Sequence, residues 1–544
     1  MSALRDPFLW LVVLAAAALR LWGIDHGLPF IYNPDEANIV ARSLSLARGP
    51  DPGYYLYPSF FFYVLFFVMG ALFVSGWLIG RYEGLPEFQS RFFEDPTDFY
   101  LAGRLVGVLS ALATLVLTYR LVDRHFGRSA ARAAAVVVAF CYFHVRDAHY
   151  VKHDVPAGLL VVLTLTAIDR ARERRTLASY LLAGVTLGVG FATHYYLVFL
   201  APVLLVVTRL RPLAWVLASG ATSFVTFCLL SPYVVLRAGT ALEHMAANRD
   251  VVVDRSLSSG NAFLPSLGLY VEFLLEQGLG YALLALICAG FVMMRGRFAL
   301  WGTFPAIFLV FLSYTFFAGR YLNPVLPCFA AATGVAVAGI ERRVGAAAWL
   351  VLGLACLQPL YRSVHVDRLF AAPDTRTLAR DWILDNVAAG TAIALQSYSV
   401  PLPQSEESYR LSLEANDAVG EIEKQGKYAS LLALAERRYE SYQLFFFGRG
   451  DELDRIYIPY EALLDGLEPL KKLEVSYVVL REPARPPPPE VASLFKRVRE
   501  HGTLLRHRVD PGWETPYLDN EDWAPSSALH FKGPRIEIWS LDSE

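Results

Sequence analysis

Apolar runs recur along the first two-thirds of the chain, at about 8–24, 58–80, 100–120, 131–149, 155–169, 178–194, 195–208, 212–231, 267–294, 298–317, 321–340 and 344–361. One bilayer crossing takes roughly 20 apolar residues. Runs in this number predict a polytopic, mainly α-helical membrane protein. The nearly continuous stretch 178–208 is too long for one crossing and is divided at His194. With 55% hydrophobic residues among 544, and a mean hydropathy of +0.37, the chain is too apolar for a soluble protein of this length. A net charge of −2 gives no basis for a nucleic-acid partner. The five cysteines all lie in apolar stretches and read as small core residues, not as a disulfide framework. Arg5 and the apolar run from Phe8 lack a small-residue cleavage site before residue 33, so they read as an uncleaved first helix.

Basic loops orient the chain. Arg120, Arg124, Arg128 and Arg132 form one cluster, and Arg170, Arg172, Arg174 and Arg175 another. Arg209 with Arg211, Arg295 with Arg297, and Arg342 with Arg343 complete the set. Excess Lys and Arg mark cytoplasmic loops. All five clusters fall inside only if 58–80 does not cross. That segment is therefore expected to be a juxtamembrane or re-entrant helix, and the acidic loop 81–99 after it suits the outer side. About eleven spans follow, with the N-terminus cytoplasmic and the C-terminus outside, in a bacterial inner (plasma) membrane. Asp35, Glu36, Arg104, Arg146 to Asp154, His194-Tyr195-Tyr196, the loop 232–266 and Arg320-Tyr321 then gather on the outer face.

From about 366 the composition turns polar. A helix is expected over Asp374–Asn386, and strands at Thr391–Leu395, Leu444–Phe447, Val475–Leu480 and Arg535–Ser540, with a proline loop at 486–489. The division is a membrane domain, 1–365, and an extracytoplasmic α/β domain, 366–544, in which no catalytic motif is evident.

The chemistry centres on Gly27-Leu-Pro-Phe-Ile-Tyr-Asn-Pro-Asp-Glu-Ala-Asn38, just after the first apolar run. Ala37, Val40, Ala41, Leu44 and Ala47 form one face of a short helix that would lie along the membrane surface and carry Asp35 and Glu36 at its start. Two explanations of the acids stand side by side. Asn33 or Asp35 can cap the helix, with Pro34 in its first turn, or the acids can serve chemistry. Arg104 lies four residues into a span, either snorkelling to the interface or clamping an anionic head group through its fork of donors. Tyr150-Val-Lys-His-Asp-Val-Pro156 offers Lys152, His153 and Asp154, with a solvated loop end as the alternative. His194, Arg320 and Tyr321 are each either interface anchors or ligands, and Asn323-Pro-Val-Leu-Pro327 prevents a regular helix start. His153, Asp154, His194, Glu36 and His244 are chemically able to hold a divalent metal, but no local pair has ligand-like helical spacing. An early acid pair beside phosphate-suitable cations would meet a lipid phosphate carrying a transferable group. A carboxylate could then act as general base on an acceptor hydroxyl, while Arg and Lys stabilise the departing phosphate.

Several segments, in order, resemble the GT-C class of membrane glycosyltransferases, family 39, which includes protein O-mannosyltransferases and aminoarabinose transferases acting on lipid A. They are Asn33-Pro-Asp-Glu36, Tyr57-Pro-Ser-Phe-Phe-Phe-Tyr63, Arg104-Leu-Val-Gly-Val-Leu-Ser110, Arg124-His-Phe-Gly-Arg-Ser129, Asp154, Gly188-Val-Gly-Phe-Ala-Thr-His194 and Arg320-Tyr-Leu-Asn-Pro-Val-Leu-Pro327. The resemblance covers most of residues 1–340. It implies a polyprenyl-phosphate sugar donor, an acceptor that is a protein, lipid or glycan, and inverting transfer at the extracytoplasmic face. It makes Asp35 the general base and Asp154 the acid that orients donor or acceptor. Glu36, Tyr57, Arg104, Lys152, His153, His194, Tyr195, Arg320 and Tyr321 are the accompanying substrate-binding candidates. The rival class is a lipid-linked sugar flippase or transporter with the same charges along its path. Against it, no internal repeat is visible, and the informative charges sit at one face. A third possibility is a receptor-like or assembly protein that keeps the scaffold without the chemistry.

Overall fold

The computed structural model describes residues 3–249, 263–396, 399–417, 431–433, 435, 440–448, 457–482, 487–509 and 530–541. Pro486 of the proline loop and residues 250–262 of the loop 232–266 lie outside these residues. In chain order come α1 (Pro7–Leu21), α2 (Pro34–Ser45), α3 (Phe60–Leu78), α4 (Leu85–Glu94), α5 (Thr97–Phe126), α6 (Arg128–Phe140), α7 (Tyr142–Asp147), α8 (Asp154–Arg174), α9 (Leu177–Thr193), α10 (Ala201–Thr208) and α11 (Leu213–Leu230).

Among the described residues, five helices are long and apolar enough to cross a bilayer: Phe60–Leu78, Thr97–Phe126, Leu213–Leu230, Gly319–Val344 and Ala347–Phe370. Two bent pairs raise the number to seven: Ser266–Gly278 with Tyr281–Met293, at 117°, and Arg295–Trp301 with Thr303–Leu312, at 49°. The expectation of about eleven counts continuous apolar runs, several of which the structure builds in pieces. The run 131–149 divides at Cys141, in extended backbone between α6 and α7. The run 267–294 turns sharply at Gly280, whose φ is +86°. The run 321–340 starts as the tight turns of Gly319–Val325, which contain Pro324, before α12 (Leu326–Val344) begins. The break at His194 is present: α9 ends at Thr193 and the next turns begin at Tyr195. α3 exposes Phe67, Val74, Trp77 and Leu78, as a lipid-facing helix requires.

α12 is the centre of the bundle, buried over most of its length. Small residues let its neighbours approach backbone to backbone. A Cβ at Gly334 would overlap the Ala130 carbonyl of α6, and one at Gly290 would overlap the Ala332 carbonyl of α12. Gly184 and Gly188 play the same part where α9 meets Ser219 and Ser223 of α11.

α5 and α8 run in the same sense, from the end that holds Arg104 and Asp154 to the end that holds Arg124 and Arg172. There Arg124, Arg172 and Arg297 surround Asp169, Arg124 also pairs with Glu173, and Ser129 bonds Glu341 next to Arg342. The basic clusters thus share the end of the bundle opposite Asp35.

α13 (Ala347–Phe370) carries the chain past the compositional shift at 366, and α14 (Thr375–Asn386) starts on an Asp374 cap. A six-stranded sheet follows, in the order β3-β2-β1-β4-β6-β5. Its strands are β1 (Ala392–Gln396), β2 (Gln443–Gly448), β3 (Tyr457–Pro459), β4 (Tyr477–Arg481), β5 (Thr503–Val509) and β6 (Ile536–Ser540). β1, β2, β3 and β4 are mutually parallel, while β6 runs antiparallel to β4 and β5. Four strands fall where the sequence puts them. β3 and β5 are additional, the first too short and the second too polar to register as an apolar run.

Because α6 and α12 touch through backbone at Gly334, Gly334→Val should destabilise the folded protein by about 1–3 kcal/mol through overpacking. Gly353→Ala, which adds a Cβ into open space on α13, should hold or slightly raise the thermal unfolding midpoint of the purified protein.

Candidate active site

The first turn of α2 shows which residue caps it. The cap is Asn33, whose side-chain oxygen accepts from the amides of Asp35 and Glu36 at 3.1 and 3.2 Å, with Pro34 in the first helical position. Neither carboxylate is used for capping. A helix turns about 100° per residue, so the two adjacent acids leave α2 in different directions.

Glu36 points inward and is 1% exposed. Its Oε1 accepts from Arg104 Nε at 2.8 Å and from the Val151 amide at 3.0 Å, and its Oε2 accepts from Arg104 Nη2 at 2.9 Å. Arg104 Nη1 donates to the carbonyls of Ile24 and His26 at 2.7 and 3.0 Å. The expected phosphate clamp at Arg104 is therefore corrected. Its guanidinium is buried and satisfied within the protein, and Arg104 and Glu36 together bind α2, α5, the loop after α1 and the loop before α8.

Asp35 points the other way and stays about one-third exposed. Its Oδ2 lies 3.2 Å from Lys152 Nζ and 3.8 Å from Arg320 Nη2. Burial alone would raise its pKa, but the charges of Lys152 and Arg320 outweigh that and hold the carboxyl at about 2. Both cations are themselves buried, at 5% and 7% exposure. Lys152 comes from the loop before α8 and Arg320 from the tight turns before α12. Those turns are pinned by Asn323, which donates to Asp147 Oδ2 at 2.6 Å, while Arg146 donates to Asp147 Oδ1 at 2.7 Å. Asp147 and Asn323 are absent from the expected set, because a buried hydrogen bond between distant turns leaves no local pattern.

Behind this triad lie rings and unsatisfied polar atoms. The His153 ring is 4.3 Å from Tyr57 and 4.6 Å from His194. Burial, then the Arg320 charge, pushes His153 down to about 3, so it is neutral. Burial also keeps the Tyr57 phenol protonated, its pKa well above the usual value. His194 accepts from the Tyr196 amide and stacks on the Tyr196 ring. Asp154 Oδ1, His194 Nε2 and Tyr196 OH are buried without a partner among the described residues. Buried polar groups are normally hydrogen-bonded, so these three atoms are suited to ligand hydroxyls. Tyr195 is corrected: its hydroxyl donates to the Tyr55 carbonyl at 3.1 Å and its ring packs on Phe191, so Tyr196 is the tyrosine that joins the cluster. Tyr321 remains beside it, under the Arg320 guanidinium and 6.3 Å from the Tyr196 ring.

The five candidate metal ligands do not converge. Glu36 is held by Arg104, and His244 accepts from the Tyr55 amide. Among the described residues, the group close enough to share an ion is His125, Asp169 and Glu173, at the opposite end of the bundle. Arg124, Arg172 and Arg297 already compensate its charge. An apolar recess of about 1940 Å³ lies between α2, α3, α4 and the C-terminal region. It takes the Ala37, Ala41 and Leu44 face of α2 and excludes Asp35.

Removing one member of a buried ion pair strands the other, at a cost of about 3–5 kcal/mol. Glu36→Gln and Arg104→Met should each lower the unfolding midpoint strongly, and the double variant should recover much of the loss. Additive losses in thermal unfolding would contradict the pairing.

Residues 98–236 match the family described as dolichyl-phosphate-mannose-protein mannosyltransferase. The matched segment includes Arg104, Lys152, His153, Asp154 and His194, but not Asp35 or Arg320. No curated protein sequence matches the chain. Among solved structures, ArnT from Cupriavidus metallidurans in the apo state is similar with a TM-score of 0.51 at 13% identity, covering 98% of both chains. The same ArnT bound to undecaprenyl phosphate gives 0.45 at 14% identity, covering 99% of this chain and 98% of that one. The Archaeoglobus fulgidus oligosaccharyltransferase, in complex with zinc and sulfate, gives 0.46 at 14% identity, covering 87% and 68%. The chain is a membrane protein with a fold like that of ArnT, and its residues 98–236 match the mannosyltransferase family described above.

Proposed function

We propose that this protein transfers a sugar from a polyprenyl-phosphate donor to an acceptor hydroxyl at the extracytoplasmic membrane face, with inversion and with Asp35 as general base. The observation that carries this reading is the convergence of Lys152 and Arg320 on one oxygen of an uncapped, partly exposed Asp35. The ArnT that shares the fold has been solved with undecaprenyl phosphate, a carrier of the class proposed here. The opposite, arginine-rich end of the bundle is read as cytoplasmic, which puts the site and the C-terminal domain outside, with α3 at the membrane edge.

The proposed step balances simply. Asp35 takes the proton of the acceptor hydroxyl as that oxygen attacks the anomeric carbon, opposite the phosphate. The bond between the anomeric carbon and the phosphate oxygen breaks, and its electron pair leaves on the phosphate, where Lys152 and Arg320 meet the added charge. A single displacement inverts the anomeric centre. Asp154, His194 and Tyr196 supply hydrogen-bonding atoms for hydroxyls of the bound sugar. A transporter or flippase would use charges along a path through the bundle. The charges here are gathered at one end, which favours transfer.

The test uses purified protein and a radiolabelled panel of polyprenyl-phosphate sugars with candidate acceptors. Asp35→Asn should lower turnover at least ~100-fold, the lower bound for loss of a general base, while donor binding persists. Since kcat/KM reports groups of the free enzyme, a carboxyl held at about 2 stays ionised across the working range and contributes no acid limb from pH 5 to 8, where the titrating carboxyl of the site is Asp154, pushed up to about 7 by burial. Lys152→Met removes the charge that lowers Asp35, so a further acid limb, distinct from that of Asp154, should move upward from below pH 5. Equal turnover in wild type and Asp35→Asn would remove Asp35 from the chemistry, and donor binding without turnover of any sugar would favour the flippase.

A further inference from the structure

The two halves of the site, Asp35 on α2 and Lys152 before α8, are each gripped from the C-terminal region by one ledge. Its two strips, Asp374-Thr375 and Lys532-Gly533, pair through the Thr375 amide on the Lys532 carbonyl at 2.8 Å and the Thr375 hydroxyl on the Pro534 carbonyl at 2.7 Å. Gly533 has a φ of +111°, and a Cβ there would run into the side chains of Asp374 and Thr375. The approach therefore requires glycine.

From one strip, Arg376 is held by two bonds to Asp374, at 2.8 Å each, and lies 3.9 Å over the Tyr32 ring. The Tyr32 hydroxyl is 2.7 Å from Thr377 Oγ1. Tyr32 immediately precedes Asn33, the cap that directs Asp35. From the other strip, Lys532 is 8% exposed and donates to the Tyr150 hydroxyl at 2.8 Å. Its Nζ also lies 5.0 and 4.7 Å from the Tyr150 and Phe370 ring centroids. Tyr150 is two residues before Lys152. The Lys152 amide donates to the Tyr150 carbonyl at 2.9 Å, and Lys152 Nζ is 5.2 Å from the Tyr150 ring centroid.

We infer that the C-terminal domain sets the spacing of Asp35 and Lys152, and that Lys532 and Arg376 are positioning residues for the transfer reaction. This rests on the reading of Asp35, Lys152 and Arg320 as the transfer site. Burying a lysine is costly unless a defined set of partners compensates it. A purely adhesive contact between domains would be made as well by methionine. What the ammonium adds is direction: it fixes the Tyr150 hydroxyl, and with it the ring against which Lys152 packs. The Asp35–Lys152 distance of 3.2 Å then depends on both grips.

The full-length protein carrying Lys532→Met, Tyr150→Phe or both tests the inference. A displacement of about 1 Å at a reacting group can lower the rate on the order of 100-fold. Each single variant should lower kcat by ~10- to 100-fold with KM for the donor little changed; the unfolding midpoint should hold in Lys532→Met, whereas Tyr150→Phe leaves the buried Lys532 ammonium without its hydroxyl and should lower it. The double variant should lose no more than the worse single, because one contact is removed by either change. A second readout does not depend on turnover: the rate at which Lys152 is reductively methylated, followed by mass spectrometry, should rise in Lys532→Met while that of the exposed Lys471 stays constant. Unchanged kcat and unchanged Lys152 labelling would overturn the inference, as would losses that simply track a fall in stability or add in the double variant. If wild type turns over no donor, the transfer reading fails, and the labelling contrast alone then decides whether Lys532 positions Lys152.

Discussion

The ion pair between Glu36 and Arg104 is the contact on which the site depends. It joins the first turn of α2, the N-terminal part of α5, the carbonyls of Ile24 and His26, and the Val151 amide of the loop that carries Lys152. A charge in an apolar bundle is expensive, and the cost is met when every donor and acceptor is used. Here the guanidinium makes two bonds to the carboxylate and two to carbonyls. The adjacent Asp35 is thereby presented on a fixed helix start, because its neighbour cannot move without exposing a buried charge.

The division between the two acids follows from helix geometry and the choice of cap. Asn33 takes the free amides of the first turn, Glu36 takes the interior, and Asp35 is left facing Lys152 and Arg320. The pairing has a consequence for chemistry. A carboxylate held at about 2 is always ionised but is a weak proton acceptor while both cations face it. A phosphate arriving beside those cations would draw their charge, and the pKa of Asp35 would rise as its partners were shared. In the proposed mechanism the donor therefore prepares the base.

Much of this was legible in the sequence. Spacing of apolar runs predicted the bundle, including the break at His194, and four of the six strands. The Asn-Pro-Asp-Glu start of α2 was recognisable, as were Lys152, Asp154 and Arg320 as members of one end. What was not legible depends on direction rather than on identity. Arg104 looked like a ligand clamp because the sequence does not reveal that Glu36 turns back to meet it. Tyr195 and Tyr196 are adjacent and alike, and only the tight turns after His194 determine which one enters the cluster. The bend of 117° at Gly280 is invisible to hydropathy, since both of its arms are apolar. The contacts of Lys532 with Tyr150 and of Arg376 with Tyr32 span hundreds of residues, and no local pattern announces them.

The most direct measurement is a cryo-EM structure of the protein with a non-transferable polyprenyl-phosphate sugar analogue. The account predicts the phosphate within hydrogen-bond reach of Lys152 Nζ and Arg320, the sugar toward Asp154, His194 and Tyr196, and Asp35 beside the anomeric carbon on the face away from the phosphate. A phosphate bound at the arginine clusters of the opposite end, or a donor that leaves Lys152 and Arg320 untouched on Asp35, would contradict it.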